Sequence, residues 1–490
     1  MIGRRNSEPI AYGIDFGTTN SSIAVAYRDR IEVIPVESGS TPEVLPSIIY
    51  LNRDRNRAAG EEAIEQFLIT GSLKTPCGRC SLVHVIDRRR ESACRQFRPG
   101  SGCHNARLIS GIKSDLSETD FVSTHSWAID FTLTDLVSVI IRRLKIAADR
   151  ATGTNVQRVV LGHPVVFVGA EGPHYRERQA IAEQRLRDAA VQAGFNEVVL
   201  LDEPAAAVIN EDLPEGFALA ADFGGGTFDV AVIKFAPDGG DVVALAGVDV
   251  GGEQFDRLLF QAKVAPALHL NDTYKVRSGA RRQLPHQFRK RMSTLSGLKN
   301  LLSDSNTASI LSEFSSGRGG EQLAAVQTIL YSGYAYQFYR AIEQAKIELS
   351  TAPDSVIEFH RPGIDMSIPV QRDEFEYLIS EPLQSVRAEI LRSVEDAGVA
   401  PEDISLVLRT GGSSSIPAFA HILEDIFDPS VIQERPVYTT VVNGLAMYAL
   451  GLWLWTKTNK EIESPQAMNS SNRVRSHLPP RPPRSGAVAC

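Results

Sequence analysis

Two short segments far apart in the chain share one design. Gly13-Ile14-Asp15-Phe16-Gly17-Thr18-Thr19-Asn20 sets a carboxylate near the end of an apolar run and follows it with a turn of glycine and hydroxyl residues. Asp222-Phe223-Gly224-Gly225-Gly226-Thr227-Phe228-Asp229 repeats the arrangement with a denser glycine run. Glycine admits positive φ and lets a ligand approach the backbone, and the exposed amides and threonine hydroxyls of such a turn form an anion-binding concavity. One Gly-Thr hairpin of this kind is commonplace. Two that face each other can clamp a polyphosphate from both sides, with Asp15 and Asp222 holding Mg²⁺ through water, because this ion keeps much of its hydration shell.

The elements that must position these groups can be read around them. Tyr12 to Phe16 and Ser22 to Tyr27 form one strand pair, and Ala218 to Phe223 and Phe228 to Phe235 form another, each a β-hairpin and not a βα unit. A repeat at this distance predicts duplicated lobes, since a solenoid would repeat every ~20–50 residues. Between the hairpins, Phe131 to Arg150 has helical periodicity, Arg158 to Phe167 reads as a buried strand, Arg176 to Ala193 is an amphipathic helix stopped by Gly194, and Val198 to Leu201 is a short strand. Leu284 to Leu349 is mostly helical; Ile404 to Leu408 is a strand ending at a glycine pair, followed by a helix over Ile416 to Ile426. Strands alternating with helices of this length predict an α/β architecture with mixed sheets.

The chain has 490 residues, 43% hydrophobic and 22% charged, which excludes global disorder and suits two large lobes. The formal charge of −8 gives no overall pull towards nucleic acid or anionic lipid, so a nucleic-acid role would need a local patch. No apolar h-region follows Arg4 and Arg5, and Gly444 to Trp455 is too short to cross a bilayer, so no membrane association and a cytoplasmic location are expected.

Asp15 to Thr19 and Asp222 to Thr227 resemble the two phosphate motifs of the actin, sugar-kinase and DnaK superfamily. Leu201-Asp202-Glu203-Pro204-Ala205-Ala206-Ala207, Gly251-Gly252-Glu253-Gln254-Phe255-Asp256, Glu343 to Lys346 with Leu349-Ser350, and Arg409 to Pro417 resemble the remaining motifs of the DnaK-type heat-shock chaperone branch, in the same order. Co-occurrence over Tyr12 to about Trp455 is specific where each motif alone is weak. The resemblance implies a two-lobed actin-like ATPase fold, with duplicated ribonuclease-H-like lobes and mixed sheets flanked by helices. It implies a leader over 1–11, a first lobe over 12–210 with a cysteine-containing insertion at about 71–106, a second lobe over 211–440, a closing helix over 441–456 and a tail over 457–490.

The same resemblance implies ATP or ADP with Mg²⁺ as ligands, and ATP hydrolysis coupled to lobe closure as the activity. Gly17, Thr18, Thr19, Asn20 and the Gly224, Gly225, Gly226, Thr227 turn would hold the phosphates, with Asp15, Asp222 and Asp229 organising metal and water. Glu203 would orient or deprotonate that water, and Lys113 is the best match to a lysine used near the terminal phosphate. The adenosine half would rest on Gly251, Gly252, Glu253, Glu343, Lys346, Ser350, Gly411, Gly412 and Ser413, although Glu343 and Lys346 alone read as an i, i+3 surface pair. Ile347 and Ser415 stand where the family stacks arginines on adenine, which forfeits a cation–π contribution of ~0.5–2 kcal/mol. Val166 departs from the aromatic that often follows the family's interlobe proline, here Pro164.

Cys77, Cys80, Cys94 and Cys103, beside His104, have a spacing open to three readings: four zinc ligands, a redox sensor or unconnected loop thiols. The Pro/Arg-rich tail, with Pro479-Pro480-Arg481-Pro482-Pro483, cannot build a packed core. After Trp455 no client-binding domain is expected, which resembles the shorter YegD-like members of the family. The reading is a chaperone-like, ATP-switched protein acting on a partner or client that the sequence does not name, and not on nucleic acid. The alternatives are an actin-like filament former, a small-molecule kinase of the same fold, and a scaffold that binds ATP without turning it over.

Overall fold

The structure is a computed structural model that describes residues 8–39, 41–51, 57–72, 107–119, 124–126, 129–169, 174–209, 211, 215–236, 239–276, 278–295, 297–298, 301, 305–315, 320–331, 334–436, 438–458 and 477–478. Its first sheet is built from β1 (Ala11–Phe16), β2 (Asn20–Ala26), β3 (Ile31–Val33), β4 (Leu45–Pro46), β5 (Arg158–His163) and β6 (Glu197–Asp202), in the order β6-β5-β1-β2-β3 with β4 also on β2. β1 and β2 are antiparallel, with Asp15 opposite Ser22, whereas β5 lies parallel to β1 and pairs Leu161 with Ile14. Two helices cover one face, α1 (Leu133–Thr152) and α2 (Tyr175–Ala193). Leu136, Ile140 and Leu144 recur one helical turn apart on α1 and bury against Ile14, Phe16 and Val25, so the helical period matches the alternation of the strands.

The second sheet repeats this plan. β7 (Gly216–Phe223), β8 (Phe228–Ala236), β9 (Gly239–Val248), β10 (Ile404–Thr410), β11 (Ile432–Glu434) and β12 (His477–Leu478) take the order β11-β10-β7-β8-β9-β12. Here too an antiparallel hairpin, with Asp222 opposite Asp229, is continued by a parallel strand that pairs Thr410 with Asp222. Phe223, at the end of β7, makes edge-to-face contacts with Phe228, Phe255 and Phe419 at centroid distances of 5.3, 5.6 and 4.9 Å. Such pairs contribute ~0.5–1.5 kcal/mol each beyond their burial. They fix the glycine turn against α4 (Gly252–Leu259), which holds Phe255, and α7 (Pro417–Ile426), which holds Phe419.

Between the sheets lie α3 (Glu203–Ile209) and α8 (Thr440–Thr458). Ala206, Ala207 and Val208 of α3 and Leu445, Ala449 and Leu452 of α8 share one apolar seam with Val160 and Leu201 of the first sheet and with Ala220, Ala231 and Leu408 of the second. The remaining second-lobe helices used below are α5 (Ala335–Glu348) and α6 (Arg372–Asp396).

Several elements depart from the sequence reading. β5 stops at His163 and does not run to Phe167, because Pro164 brings no N–H to the ladder. α1 begins at Leu133 and not at Phe131: Thr132 caps it, its hydroxyl accepting from Asp135 N (3.1 Å) while the Asp135 carboxylate accepts from Thr132 N (2.9 Å). The first strand already includes Ala11, and Ile10 N donates to Ala26 O at 2.8 Å. Cys77, Cys80, Cys94, Cys103 and His104 lie outside the described residues, as does the tail apart from its first two residues, which continue α8 to Thr458, and His477–Leu478, which pairs with Asp241 and Gly240 at the edge of the second sheet. Among the described residues, no helix is long and apolar enough to cross a membrane, and no three His, Cys, Asp or Glu side chains converge as a metal site.

Candidate functional site

Asp15 and Asp222 occupy the penultimate positions of β1 and β7, so the duplicated hairpins carry the two acids and their turns into equivalent places. The turns face each other. A Cβ built on Gly225 would stand 2.7 Å from Thr19 Oγ1, and one on Gly226 would stand 2.9 Å from Thr18 Oγ1, so only glycine lets the two backbones come this close. The α4 N-terminus holds the second turn from behind: Gly252 N donates to Gly224 O (3.2 Å) and Glu253 N to Gly225 O (2.8 Å). Ser413 Oγ adds a bond to Gly224 O at 2.8 Å. Ser114 Oγ, 3.6 Å from the built Gly226 Cβ, is buried without a hydrogen-bond partner among the described residues.

Lys113 sits in a 3₁₀ turn over Ile112–Asp115 and is buried. Its Nζ meets Glu203 Oε1 at 2.6 Å, and Glu203 opens α3 where β6 ends. Asp229 accepts two backbone N–H bonds from the segment after Pro164, from Val165 (2.9 Å) and Val166 (3.3 Å), and one from Thr227 Oγ1 (2.7 Å). This carboxylate therefore ties the second sheet to the first. Burial, and then the Glu203 charge, pushes both Asp15 and Asp222 up to about 8, against the pull of Lys113. Burial lifts Asp229 to about 7, with the Thr227 hydroxyl working the other way. Burial opposes the charge on Lys113, but Glu203 and Asp15 outweigh it and hold the lysine above its ordinary range. One buried cation faces four carboxylates, and a second cation would lower the energy of the group.

The residues assigned to adenosine form a second cluster. Lys346 of α5 reaches Gly252 O (3.1 Å) and Asp256 Oδ1 (2.8 Å), while Glu343 pairs with Arg340 at 2.7 Å. Glu343 and Lys346 are thus not partners of each other; the lysine pins α5 to α4. Ser413 and Lys346 converge over Gly252, where a built Cβ would lie 2.9 and 3.0 Å from them. Burial, and then Asp256, pushes Glu253 up to about 7, and burial lifts Asp256 to about 6 against Lys346. Gly411 takes φ 87°, and a Cβ there would lie 2.6 Å from Asp222 Oδ1, so β10 delivers Gly411, Gly412 and Ser413 against the second acid. Ser350 lies in the turn that closes α5, its N–H bonded to Ile347 O at 3.0 Å. Ile347 is 49% exposed and Ser415 half-buried.

Sequence reasoning missed three participants: Ser114, Asp256 and Arg340. Asp256 stood inside the Gly251 to Asp256 motif, and Arg340 precedes Glu343 at i, i+3 spacing, so both had a signal. Ser114 had only its place beside Lys113.

The duplicated sheets with facing acid-glycine turns define the two-lobed actin-like ATPase fold. Within it, the chain belongs to the Hsp70 protein family, whose sequence profile matches residues 11–325 and 334–449. It is 26% identical over 456 residues to a chaperone protein HscA homolog of Polynucleobacter asymbioticus, an alignment covering 90% of this chain and 58% of that one. A chaperone protein HscA homolog of Burkholderia ambifaria is 26% identical, with 87% and 56% covered, and a mitochondrial heat shock 70 kDa protein of Solanum tuberosum is 25% identical, with 85% and 51% covered. The chain spans about half the length of these relatives. The family favours the chaperone-like reading over the filament and kinase alternatives.

Proposed function

We propose that the chain binds Mg-ATP between its lobes and hydrolyses the terminal phosphoanhydride, with lobe closure altering a surface that a protein partner or client reads. The observation that carries this reading is the approach of Gly225 to Thr19 and of Gly226 to Thr18, with the Lys113–Glu203 pair beside it. The donor set fits the ligand: glycine amides and the unpartnered Ser114 hydroxyl suit phosphate oxygens, and the excess of buried carboxylate suits a divalent cation held through its waters by Asp15 and Asp222. When bound, Mg²⁺ supplies charge neutralisation for the phosphates. The protein's own part is positional. Thr18, Thr19 and the Gly224 to Thr227 turn hold the phosphate chain, Lys113 stabilises charge that develops on the terminal phosphate, and Glu203 orients the attacking water.

Calorimetry with Mg-ATP on the wild type and on Asp222→Ala, followed by phosphate release, tests the site. Binding and turnover in the wild type and their loss in the variant are expected. A wild-type protein indifferent to nucleotide would remove the reading.

Lys346 gives a separable prediction. It fixes the α4 N-terminus beside the adenosine residues and touches none of Lys113, Glu203, Asp15 or Asp222. Lys346→Ala should therefore raise the Kd for Mg-ATP about tenfold, ~1.4 kcal/mol, while phosphate release at saturation stays within about twofold. A fall in the saturated rate with unchanged Kd would move Lys346 into the chemistry.

A further inference from the structure

The most uneven feature outside the nucleotide site is charge. Residues 273–303 hold eight Lys and Arg and no Asp or Glu, so the rest of the chain carries a formal −16 against −8 overall. The described part of this segment is an antiparallel hairpin, Thr273–Lys275 with Arg281–Gln283, followed by a helix over His286–Arg291. Leu284 and Phe288 are buried beneath it, and bonds from Gln283 Nε2 to Asn271 O and from Arg289 Nη1 to Asn271 Oδ1, both 3.1 Å, tie the helix to the foot of the hairpin. The described cations of the segment, of which Arg282 meets Glu313 at 3.6 Å, are thus presented together on a folded support.

Two observations separate this surface from an ordinary solvated face. Lys275 stands directly opposite Arg281 across the ladder, and like charges in that position are destabilising. Lys275, Arg281 and Lys290 are exposed and have no carboxylate partner among the described residues, whereas Lys263, Arg340 and Lys346 of the same lobe are paired. Among the described residues the surface also has no apolar anchor. The exposed large hydrophobic residues of the second lobe among those described, Val243, Ile347, Val356, Tyr377, Leu391 and Tyr438, all lie outside 273–303, and the aromatic residues Tyr274 and Phe288 are buried. Protein partners and interfacial membrane contacts rely on aromatic or aliphatic anchors. A phosphodiester backbone asks only for cations. The acidic remainder does not forbid this, because charges more than ~8–10 Å away are screened at physiological salt.

We propose that the strand pair Thr273–Lys275 and Arg281–Gln283 and the helix His286–Arg291 bind the phosphodiester backbone of nucleic acid without reading its bases. The site is independent of the nucleotide reading above, and it supplies the local patch that the overall charge does not.

The test uses the full chain with a fluorescein-labelled duplex of about 20 base pairs, as RNA and as DNA of the same sequence, and fluorescence anisotropy over about 50–200 mM KCl. Binding in the ~10⁻⁴–10⁻⁶ M range is expected, with log K falling on log salt at a slope of about −3 if Lys275, Arg281 and Lys290 each cover one phosphate. The RNA and DNA arms decide which polymer is preferred; similar affinities are expected if the backbone is what is bound. The variant Lys275→Glu, Arg281→Glu, Lys290→Glu should lose at least about tenfold in affinity and flatten the slope, with an unchanged circular-dichroism melt showing that it folds. Failure of the wild type to bind either duplex at low salt, or equal binding by the variant, would overturn the proposal. So would tighter binding to phosphatidylserine vesicles or to a poly-glutamate peptide than to either duplex, which would assign the surface to lipid or to an acidic protein.

Discussion

Replacing Lys113 by Met should reduce phosphate release at saturating Mg-ATP by about 10²–10³-fold, the scale seen when one preorganised charge-stabilising donor is removed. The same change should destabilise the unliganded protein by about 3–5 kcal/mol, because it leaves a buried carboxylate without its partner. Both effects follow from one contact: Lys113 Nζ stands 2.6 Å from Glu203 Oε1, with each side chain only 8% exposed. The two effects can be separated. In the double variant Lys113→Met, Glu203→Gln the orphaned charge is gone, so most of the stability should return, while turnover should stay low because neither the cation nor the carboxylate is present. Urea denaturation and phosphate release on the wild type, the single variant and the double variant make the comparison. Wild-type turnover in Lys113→Met would mean that the lysine only balances charge.

The hairpins and the helices that support them were legible because each is encoded locally. Period-two alternation ending in an acid and a glycine turn gave both phosphate-facing loops, and the Gly411-Gly412 pair marked the end of β10. Lys113 was harder to place, since nothing adjacent in sequence shows that Ile112–Asp115 folds back to bury it against Glu203 at the other end of the lobe. Partner choice was the least legible. Glu343 and Lys346 have the spacing of a helix-surface pair, yet Lys346 turns to Asp256 and Glu343 to Arg340, because α4 packs against that face of α5. Asp229 shows the same limit: its bonds to Val165 and Val166 join segments that only the closed arrangement of the two sheets brings together. The hairpin over Asp354–Arg361 and Ile364–Gln371 went unread, as did α6, whose apolar stripe runs through Pro382. A proline in mid-helix is a breaking signal from sequence alone, and here tertiary burial of Pro382 overrides it.

Affinity for Mg-nucleotide should rise steeply with pH between about 6 and 8, with protons released on binding. Asp15 and Asp222 are pushed up to about 8 in the unliganded protein, by burial first and by the Glu203 charge second. Unfolded aspartates titrate near 3.9, so from about pH 4 to pH 8 the folded chain holds protons that the unfolded chain has lost. The stability these two groups confer is therefore complete below about pH 4 and is lost as the pH rises through about 8. Binding a divalent cation reverses the balance, since it requires both carboxylates charged, and each proton expelled makes affinity grow by up to tenfold per pH unit. Titration calorimetry at pH 7 in two buffers of different ionisation enthalpy counts those protons. A release approaching two is expected, falling towards zero by about pH 9, and Asp222→Asn, which is expected not to bind, should show a shallower pH dependence of its unliganded melting temperature. If no protons leave on binding and the affinity is flat across this range, the acids are already ionised before the ligand arrives. Their excess charge would then have to be balanced by something other than the cation, and the Asp15–Asp222 pair would lose its place at the centre of the site.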